Sequence, residues 1–378
     1  METVVQIGAG AIGRGFLGQL WSEGGYETIF VDVNETIVAE LNHRGSYPLR
    51  LVTNDTDEIW RIAPVRAVLA SDIGSVAAAL ASCSFAATAV GAGRLESVAR
   101  ALIAPSLAQR SRPLNVLLCE NGLSVRDNFL AGTDNGNNAH GVETVVGRMV
   151  PEAGFGETDF LAVTAEPFRE LPFDRSQWHG AMPDVPGLLP VVGNHFHAYE
   201  LRKLFLHNGG HSLLAYYGYL RGHAAIRACA EDETIVTQLR GFWEEVGTAL
   251  RRSDYREIPI FADGALKMFT EDLLHRFRNP HLGDTVLRVA RDPLRKLSRS
   301  ERFVGAALFC QQHGVEPAYV SRAIAAALHF QPQEDSGAAI LQKSLRTIGV
   351  RATIVRYTGL DTDSPLTSLI EKEFTKQG

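Results

Sequence analysis

The chain has 378 residues, a formal net charge of −6 and 45% hydrophobic residues. This length is sufficient for two domains with substantial cores. Charges of both signs are spread along the chain, which argues against a nucleic-acid polymer as the partner. We find no signal peptide and no apolar run of about 20 residues, so we expect no membrane partner and a cytoplasmic location. No pattern indicates an oligomeric state.

The cysteines support the same location. They are scattered without the C-x-x-C spacing of metal or redox motifs, and we expect them to be reduced and mostly buried. They are Cys83, Cys119, Cys229 and Cys310.

The first 32 residues have the pattern of a dinucleotide site. Residues 3–7 predict a short buried strand, residues 8–15 contain G-x-G-x-x-G, and residues 28–32 predict a second strand. An amphipathic helix is predicted between them. A glycine-rich turn in this strand–turn–helix context is what the dinucleotide fingerprint requires.

Each residue of this fingerprint has a predicted role. Gly8 makes the tight turn, Gly10 lets the pyrophosphate approach, and Gly13 allows close packing of the helix. Asp32 closes the second strand, where a carboxylate bonds ribose hydroxyls and repels a 2′-phosphate, so we predict NAD rather than NADP. The predicted cofactor-binding residues are Gly8, Ala9, Gly10, Ala11, Ile12, Gly13, Arg14, Asp32, Val90, Gly91 and Asn121.

Strand and helix patterns continue to alternate through the first half of the chain. This alternation indicates a parallel, doubly wound sheet, in which ligands bind beyond the carboxyl ends of the strands. Gly91 and Asn121 follow two such ends. Further strands are predicted over residues 59–68, 85–90 and 115–119, and a loop over residues 46–57.

A Pro- and Gly-rich run, residues 183–193, marks the predicted domain boundary. We predict an α/β fold with an N-terminal Rossmann-like domain, residues 1–190, followed by a mainly helical domain, residues 191–378. Amphipathic helical patterns fill much of the second domain.

The segment from Lys203 to His211 contains the polar groups that carbonyl reduction requires. On an α-helix, at about 100° per residue, Asn208 and His211 lie roughly 140° and 80° from Lys203, so all three can face one pocket. A Lys can exchange a proton, an Asn can hold an oxyanion, and a His can orient hydroxyls. The apolar flanks disfavour the alternative of a solvated helix face. Gly209 and Gly210 indicate that something approaches this backbone closely.

A second polar group is the basic cluster of residues 288–296. It contains four cations, which form either a solvated helix end or a site for an anionic group such as phosphate. Pro293 interrupts the helix and is expected to direct Arg295 and Lys296 differently from Arg288.

Metal catalysis is an alternative because His207 and His211 are four residues apart. A zinc helix motif usually has Glu after the first His, as in H-E-x-x-H. Here Asn208 occupies that position, so we expect no catalytic metal.

Taken in order, these motifs resemble those of the polyol-specific long-chain dehydrogenase, or mannitol dehydrogenase, family. The resemblance covers nearly the whole length and rests on residues 8–15, 30–34, 119–121, 148–151, 203–211 and 279–296. It implies metal-independent interconversion of a ketose and a polyol with NAD or NADP. It further implies Lys203 as general acid/base, Asn208 and Asn121 as the oxyanion pair, and His211, Arg288 and Lys296 as sugar contacts.

The resemblance also implies a substrate class. Relatives that act on free mannitol carry Gly-Ser-Ser-Lys at the position of residues 293–296, and the additional cation Arg295 favours a phosphorylated substrate. We expect NAD-dependent interconversion of D-mannitol 1-phosphate and D-fructose 6-phosphate. Gly147, where the family usually has Asp, keeps open the alternative of free mannitol, free fructose or a hexuronate. A non-catalytic sensor of dinucleotide and sugar phosphate is a third hypothesis, which the retained Lys203 disfavours. Glu166 either borders the cofactor or is a surface carboxylate.

Overall fold

A computed structural model describes residues 1–108, 110–122, 125–133, 138–151 and 159–377. The chain divides into two compact units, Met1–Phe196 and His197–Gly378. No helix in the described ranges combines the length and the hydropathy that a membrane crossing requires.

The first unit is built on a six-stranded sheet with the order β5-β2-β1-β6-β7-β8, in which every neighbouring pair is parallel. When its strands alone are counted along the chain, this order is 3-2-1-4-5-6, that of a doubly wound dinucleotide fold. The prediction of a parallel, Rossmann-like sheet is therefore confirmed. The strands of this unit are β1 (Thr3–Ile7), β2 (Glu27–Asp32), β3 (Tyr47–Val52), β4 (Asp57–Ile62), β5 (Val65–Leu69), β6 (Phe85–Thr88), β7 (Leu114–Leu118), β8 (Ala139–Glu143), β9 (Val163–Ala165), β10 (Leu171–Asp174) and β11 (Leu188–Val191).

The central strands are buried along almost their whole length because both faces of the sheet are covered. β6 and β7 are buried at every position, and β1 at all but its first. One face packs in a cluster with Val76 and Leu80, and the other with Phe16 and Trp21. The helices of this unit are α1 (Gly18–Glu23), α2 (Glu35–Arg44), α3 (Ile73–Ser82), α4 (Ala92–Val98), α5 (Ala104–Leu107) and α6 (Val125–Gly132), with π-helical turns at Gly13–Leu17 and Ala99–Ile103 and a 3₁₀ turn at Arg175–Gln177.

The prediction for residues 46–68 was wrong. The expected loop contains β3, and the expected single strand is two strands, β4 and β5, separated by Ala63 and Pro64. β3 pairs antiparallel with β4 and parallel with β9 in a separate three-stranded sheet. Pro48 is tolerated inside β3 because the pairing with β9 begins only at Leu49.

The second unit is mainly helical in its described residues, as predicted. Its longest helix, α10, begins where Asp232 caps the backbone N–H groups of Thr234 and Ile235, and it buries one apolar face. The helices are α7 (Asn194–Leu201), which begins in the first unit, α8 (Gly210–Leu220), α9 (Ile226–Glu231), α10 (Glu233–Arg252), α11 (Asp263–Phe277), α12 (Val286–Ala290), α13 (Pro293–Lys296), α14 (Val304–Gln312), α15 (Ala318–Leu328), α16 (Ser336–Ile348), α17 (Val350–Thr358) and α18 (Pro365–Gln377), with a π-helical segment at Arg202–Gly209 and a 3₁₀ turn at Pro259–Phe261.

Candidate active site

The glycine-rich turn after β1 requires glycine at two of its three fingerprint positions. Gly8 has a φ of 97°, and a Cβ there would lie 2.5 Å from the carbonyl oxygen of Ala89. A Cβ on Gly13 would overlap the carbonyl oxygen of Gly8, whereas a Cβ on Gly10 would meet no atom within 4 Å. Gly8 and Gly13 are therefore required by packing, and the space beside Gly10 is open.

Asp32 ties this turn to the end of β2. Its Oδ2 accepts a hydrogen bond from the backbone N–H of Ala9 at 2.7 Å, and its Oδ1 accepts one from Asn34 at 2.9 Å. An ionised carboxylate has about four acceptor positions. Asp32 thus fixes the turn and retains acceptor capacity for hydroxyl groups.

The predicted cofactor residue Arg14 has a buried side chain. Its Nε donates to the carbonyl oxygen of Ala9 at 2.7 Å, and Nη1 donates to that of Leu161. Burial lowers the pKa of Arg14 from its ordinary value. Through these hydrogen bonds the guanidinium holds the glycine-rich turn in place inside the first unit.

Arg148 and Glu166 support the same region. Nη1 of Arg148 donates to the carbonyl oxygen of Gly15 at 2.9 Å and to Oε1 of Gln19 at 2.7 Å. Burial lowers the pKa of Arg148 to about 10. Glu166 is 1% exposed and accepts the backbone N–H of Met149 at 2.6 Å. The alternative of Glu166 as a surface carboxylate is therefore wrong.

Glu120 is a residue of this edge whose role the sequence did not indicate. Its carboxylate accepts from Thr88 Oγ1 at 2.9 Å and from the backbone N–H of Val90 at 3.1 Å, so it joins the ends of β6 and β7. Burial raises the pKa of Glu120. Gly91 follows with a φ of 91°, and Asn121 is exposed beyond β7. A carboxylate directly after a buried strand was the available signal.

The predicted cofactor residues therefore follow the carboxyl ends of β1, β2, β6 and β7. These strands are consecutive in the order β2-β1-β6-β7. The direction of winding reverses between β1 and β6, which is where doubly wound sheets bind ligands.

In the second unit, Lys203 and Asn208 lie on a π-helical segment, Arg202–Gly209. The angular positions predicted for an α-helix are wrong here, because π-helical hydrogen bonds span five residues instead of four. A residue five positions further along the chain therefore lies about one turn away. Lys203 and Asn208 have this separation, so they share one face of the segment more closely than predicted.

The close approach predicted at the two glycines is confirmed. A Cβ on Gly209 would lie 2.9 Å from Cζ of Phe242, and one on Gly210 would lie 2.8 Å from Nε1 of Trp243. Trp243 also donates from Nε1 to the carbonyl oxygen of Leu206 at 2.9 Å. The approaching group is helix α10, which packs directly on the segment that carries Lys203.

Lys203 lies close to an ion pair that was not predicted from the sequence. Nε of Arg302 is 3.0 Å from Oε2 of Glu301, and Nη1 of Arg302 lies 3.3 Å from Oγ of Ser212. Burial, reinforced by the charge of Arg302 and opposed by that of Glu301, lowers the pKa of Lys203 to about 8. Two adjacent charges directly before an apolar helix were the only sequence signal for this pair.

Arg295 is held by two carboxylates. Its Nε lies 2.9 Å from Asp292 Oδ2, and its Nη1 lies 2.8 Å from Glu301 Oε1. Asp292 has a φ of 60° directly before Pro293, so the chain turns between α12 and α13. The predicted interruption of the helix at Pro293 is therefore confirmed.

Lys296 is almost fully buried next to these groups. Its Nζ donates to the carbonyl oxygen of Arg291. Burial, together with the charges of Arg302 and Arg295, lowers the pKa of Lys296 to about 7. Through Arg302 and Glu301, the predicted residues Lys203, Arg295 and Lys296 belong to one cluster, which we call the cation cluster.

His211 and Arg288 meet at another carboxylate, that of Asp284. His211 Nε2 is 3.2 Å from Asp284 Oδ2, and Arg288 Nη2 contacts Asp284 Oδ1. Burial alone would raise the pKa of Asp284, but His211 and Arg288 hold it below its ordinary value. The His211 ring stacks on that of Phe277, with centroids 4.9 Å apart. Asp284 was not predicted as a site residue.

His207 is buried in the π-helical segment Arg202–Gly209. Burial, followed by the charge of Arg276, holds its pKa well below the ordinary value, so the imidazole is neutral at pH 7. Within the described part of the chain, no three His, Cys, Asp or Glu side chains are grouped to share a metal ion.

Comparison with known proteins identifies the class to which this fold and these residues belong. The family model described as the mannitol dehydrogenase Rossmann domain matches residues 2–187, and that of the mannitol dehydrogenase C-terminal domain matches residues 195–359. The chain belongs to the mannitol dehydrogenase family of oxidoreductases.

Individual relatives support this assignment. The chain is 37% identical to a mannitol-1-phosphate 5-dehydrogenase of Brevibacillus brevis, over 98% of this chain and 96% of the relative. It has the fold of the Pseudomonas fluorescens mannitol 2-dehydrogenase, solved as a ternary complex with NAD and D-mannitol. The TM-score is 0.76, with 17% identity over 99% of this chain and 91% of that one. A D-sorbitol dehydrogenase solved in substrate-free form gives a TM-score of 0.79, with 15% identity over 99% and 92% of the two chains.

Proposed function

We propose that this protein catalyses the NAD-dependent interconversion of D-mannitol 1-phosphate and D-fructose 6-phosphate. The observation that carries the proposal is the 37% identity with a mannitol-1-phosphate 5-dehydrogenase along nearly the whole of both chains. The cation cluster supports a phosphorylated substrate. In this cluster the carboxylates of Asp292 and Glu301 balance Arg295 and Arg302. The excess of positive charge, which suits a phosphate group, therefore comes from the protonated forms of Lys203 and Lys296.

The residues at the carboxyl edge of the sheet fit a dinucleotide. The open space beside Gly10 would admit a pyrophosphate, and Asp32 would accept ribose hydroxyls while repelling a 2′-phosphate. Val90, Gly91 and Asn121 would line the same edge. When bound, the nicotinamide supplies or accepts the hydride.

Lys203 is the proposed general acid/base. In ketose reduction its ammonium donates a proton to the oxygen that becomes the alcohol, and in polyol oxidation its neutral amine removes that proton. The pKa of about 8 leaves both forms accessible near neutral pH. Asn208 shares the face of Lys203 and would donate a hydrogen bond to the same oxygen. These side chains supply the proton transfer and oxyanion stabilisation without a metal.

Replacement of Lys203 tests this mechanism. We expect Lys203→Ala to lower turnover of D-fructose 6-phosphate with NADH by at least about 100-fold, because general acid–base catalysis contributes about 10²–10⁴. The Kd for NADH should stay near the wild-type value. Lys267→Ala, which removes an exposed lysine of α11, is the control and should leave turnover unchanged. Wild-type turnover in Lys203→Ala would remove Lys203 from the mechanism.

A free sugar or a hexuronate is the second candidate class of substrate. It is favoured by the two carboxylates that already pair with Arg295. Steady-state kinetics with D-fructose 6-phosphate, D-fructose and a hexuronate distinguish the classes. Under the main proposal, Arg295→Ala raises the KM for D-fructose 6-phosphate and leaves that for D-fructose almost unchanged. Equal changes for the two ketoses would contradict the assignment of the phosphate to Arg295.

We also propose that the reaction takes place in the cytoplasm. Cys83, Cys119, Cys229 and Cys310 are all free and buried, which suits a reducing compartment.

A further inference from the structure

Asp284 connects two helices that are far apart in the sequence. It lies just before α12, and its side chain is 11% exposed. One carboxylate oxygen faces His211 on α8, and the other contacts Arg288 on α12. A single, largely buried carboxylate thus contacts both of the side chains for which the family resemblance implies sugar contacts.

The backbone around Asp284 is fixed on both sides. Its carbonyl oxygen accepts the N–H of Ile226 at 2.9 Å, and Val286 donates to the carbonyl oxygen of Ala224 at 2.9 Å. Thr285 then caps α12 by accepting the N–H of Arg288 at 3.2 Å. These backbone hydrogen bonds hold the Asp284 carboxylate in place. It can therefore fix the positions of the two side chains that it contacts.

His211 has hydrogen-bonding capacity left for a ligand. One face of its ring stacks on Phe277. Its Nε2 faces Oδ2 of Asp284 at 3.2 Å, so this nitrogen is engaged by the carboxylate. Each imidazole nitrogen makes a single hydrogen bond, so the other ring nitrogen, Nδ1, is the one that remains for a hydroxyl of a bound sugar.

Asp284 also lowers the net positive charge around His211 and Arg288. Its carboxylate offsets Arg288, whereas the cation cluster keeps an excess of positive charge. Hydroxyl groups are therefore favoured next to His211 and Arg288, and a phosphate next to the cation cluster.

From these contacts we propose that Asp284 is a positioning residue, which acts through His211 and Arg288 to hold the hydroxyl groups of the substrate chain. The inference rests on the proposed function, since it assumes a polyol or ketose substrate. It adds to that function a residue that fixes the orientation of the substrate without contacting it.

Asp232 provides a matched control. It pairs with His223 at 3.0 Å and with Arg221 at 2.7 Å, and its side chain is 12% exposed. Asp232 thus has the same kinds of partner outside the proposed site, although both of them contact its Oδ2. Asn is as good a helix cap as Asp, so Asp232→Asn removes the charge and retains the cap of α10.

The test compares Asp284→Asn with Asp232→Asn. We expect Asp284→Asn to raise the KM for D-fructose 6-phosphate by roughly tenfold through the loss of charge-assisted contacts, with an unchanged Kd for NADH. Asp232→Asn should leave that KM unchanged, and the two variants should have similar Tm values. Asp284→Glu keeps the charge but displaces it, so it serves as the second variant, with the same expected direction, if Asp284→Asn does not fold.

A double-mutant cycle separates positioning from a general structural effect. In a His211→Ala/Arg288→Ala background, Asp284→Asn should change KM no further, because the residues through which it acts are absent. Equal KM changes in Asp284→Asn and Asp232→Asn, or additive effects in this cycle, would overturn the inference alone. A wild-type protein inactive with every sugar of the panel would instead overturn the proposed function, and this inference with it.

Discussion

The proton affinity of Lys203 depends on two neighbours of opposite charge. Arg302 favours the neutral amine, and Glu301 favours the ammonium, while burial adds to the effect of Arg302. Ketose reduction requires protonated Lys203, so its kcat/KM should be constant below the pKa and fall as the pH rises through about 8. Polyol oxidation requires the neutral form and should rise through the same pH range.

Arg302→Gln tests this dependence. Removal of the cation raises the pKa of Lys203, so the midpoints of both pH profiles should move to higher pH. Arg302→Lys keeps the charge and is the control, for which we expect a smaller movement. The measurement is kcat/KM from pH 6 to 10 in both directions, because this ratio reports the pKa of the free enzyme. An unchanged midpoint in Arg302→Gln would show that Arg302 does not act on the catalytic proton.

Residues of the candidate site were predictable where local sequence determines their packing or marks them as candidates. The close packing at Gly8 and Gly13 follows from the fingerprint, and Lys203 is a candidate because of its polar side chain in an apolar helix. The contacts of Asp284 and Arg302 were not predictable, because only the tertiary fold brings their partners together.

The departure from the family at Gly147 has a local physical explanation. A Cβ there would lie 2.9 Å from Cε1 of Phe168. An Asp at position 147 would therefore require the Phe168 ring to move, so the ring takes up space that the family carboxylate would need. This explanation needs coordinates, since the two residues are not adjacent in the sequence.

At the level of elements, the periodic patterns predicted helices but not their exact geometry. The helix through residues 203–211 was expected from its apolar spacing, whereas its π-helical turn was not, because an α-helical period was assumed. Helix α10 packs so close to Gly210 that Trp243 reaches the carbonyl oxygen of Leu206. The missed strand β3 shows another limit, since Pro48 near its start is typical of a loop.

The packing of α10 predicts the effect of a methyl group at Gly210. In Gly210→Ala the new Cβ would lie 2.8 Å from Nε1 of Trp243, so we expect a loss of about 1–3 kcal/mol in the free energy of unfolding from overpacking. Displacement of Trp243 should also lower turnover. Gly264→Ala in α11 is the control, because no atom lies within 4 Å of its Cβ, and it should stabilise by about 0.4–1 kcal/mol. Denaturant unfolding measures both, and equal effects would contradict the packing argument.

At the scale of the whole molecule, the parallel, doubly wound class of the sheet was the most predictable feature. Alternating strand and helix patterns are compatible with only a few compact folds. The glycine-rich turn places β1 next to the point where the winding of the sheet reverses. The predicted site residues fall into two groups, one in each unit. Those assigned to NAD lie in Met1–Phe196, and Lys203, Asn208, His211 and the basic cluster lie in His197–Gly378.

This division predicts that residues 1–196 fold and bind NADH without the rest of the chain. Three clusters of buried apolar residues lie entirely within this range, so the unit has its own core. We expect a cooperative thermal transition for the fragment and a Kd for NADH, measured by fluorescence titration, similar to that of the full chain. Asp32→Ala in the fragment should raise this Kd by at least about tenfold, because it removes a charged acceptor for the ribose and the bond that holds Ala9. The fragment should have no ketose reductase activity, since it lacks Lys203. A folded fragment that does not bind NADH, beside a full chain that does, would show that residues after 196 are required for the cofactor.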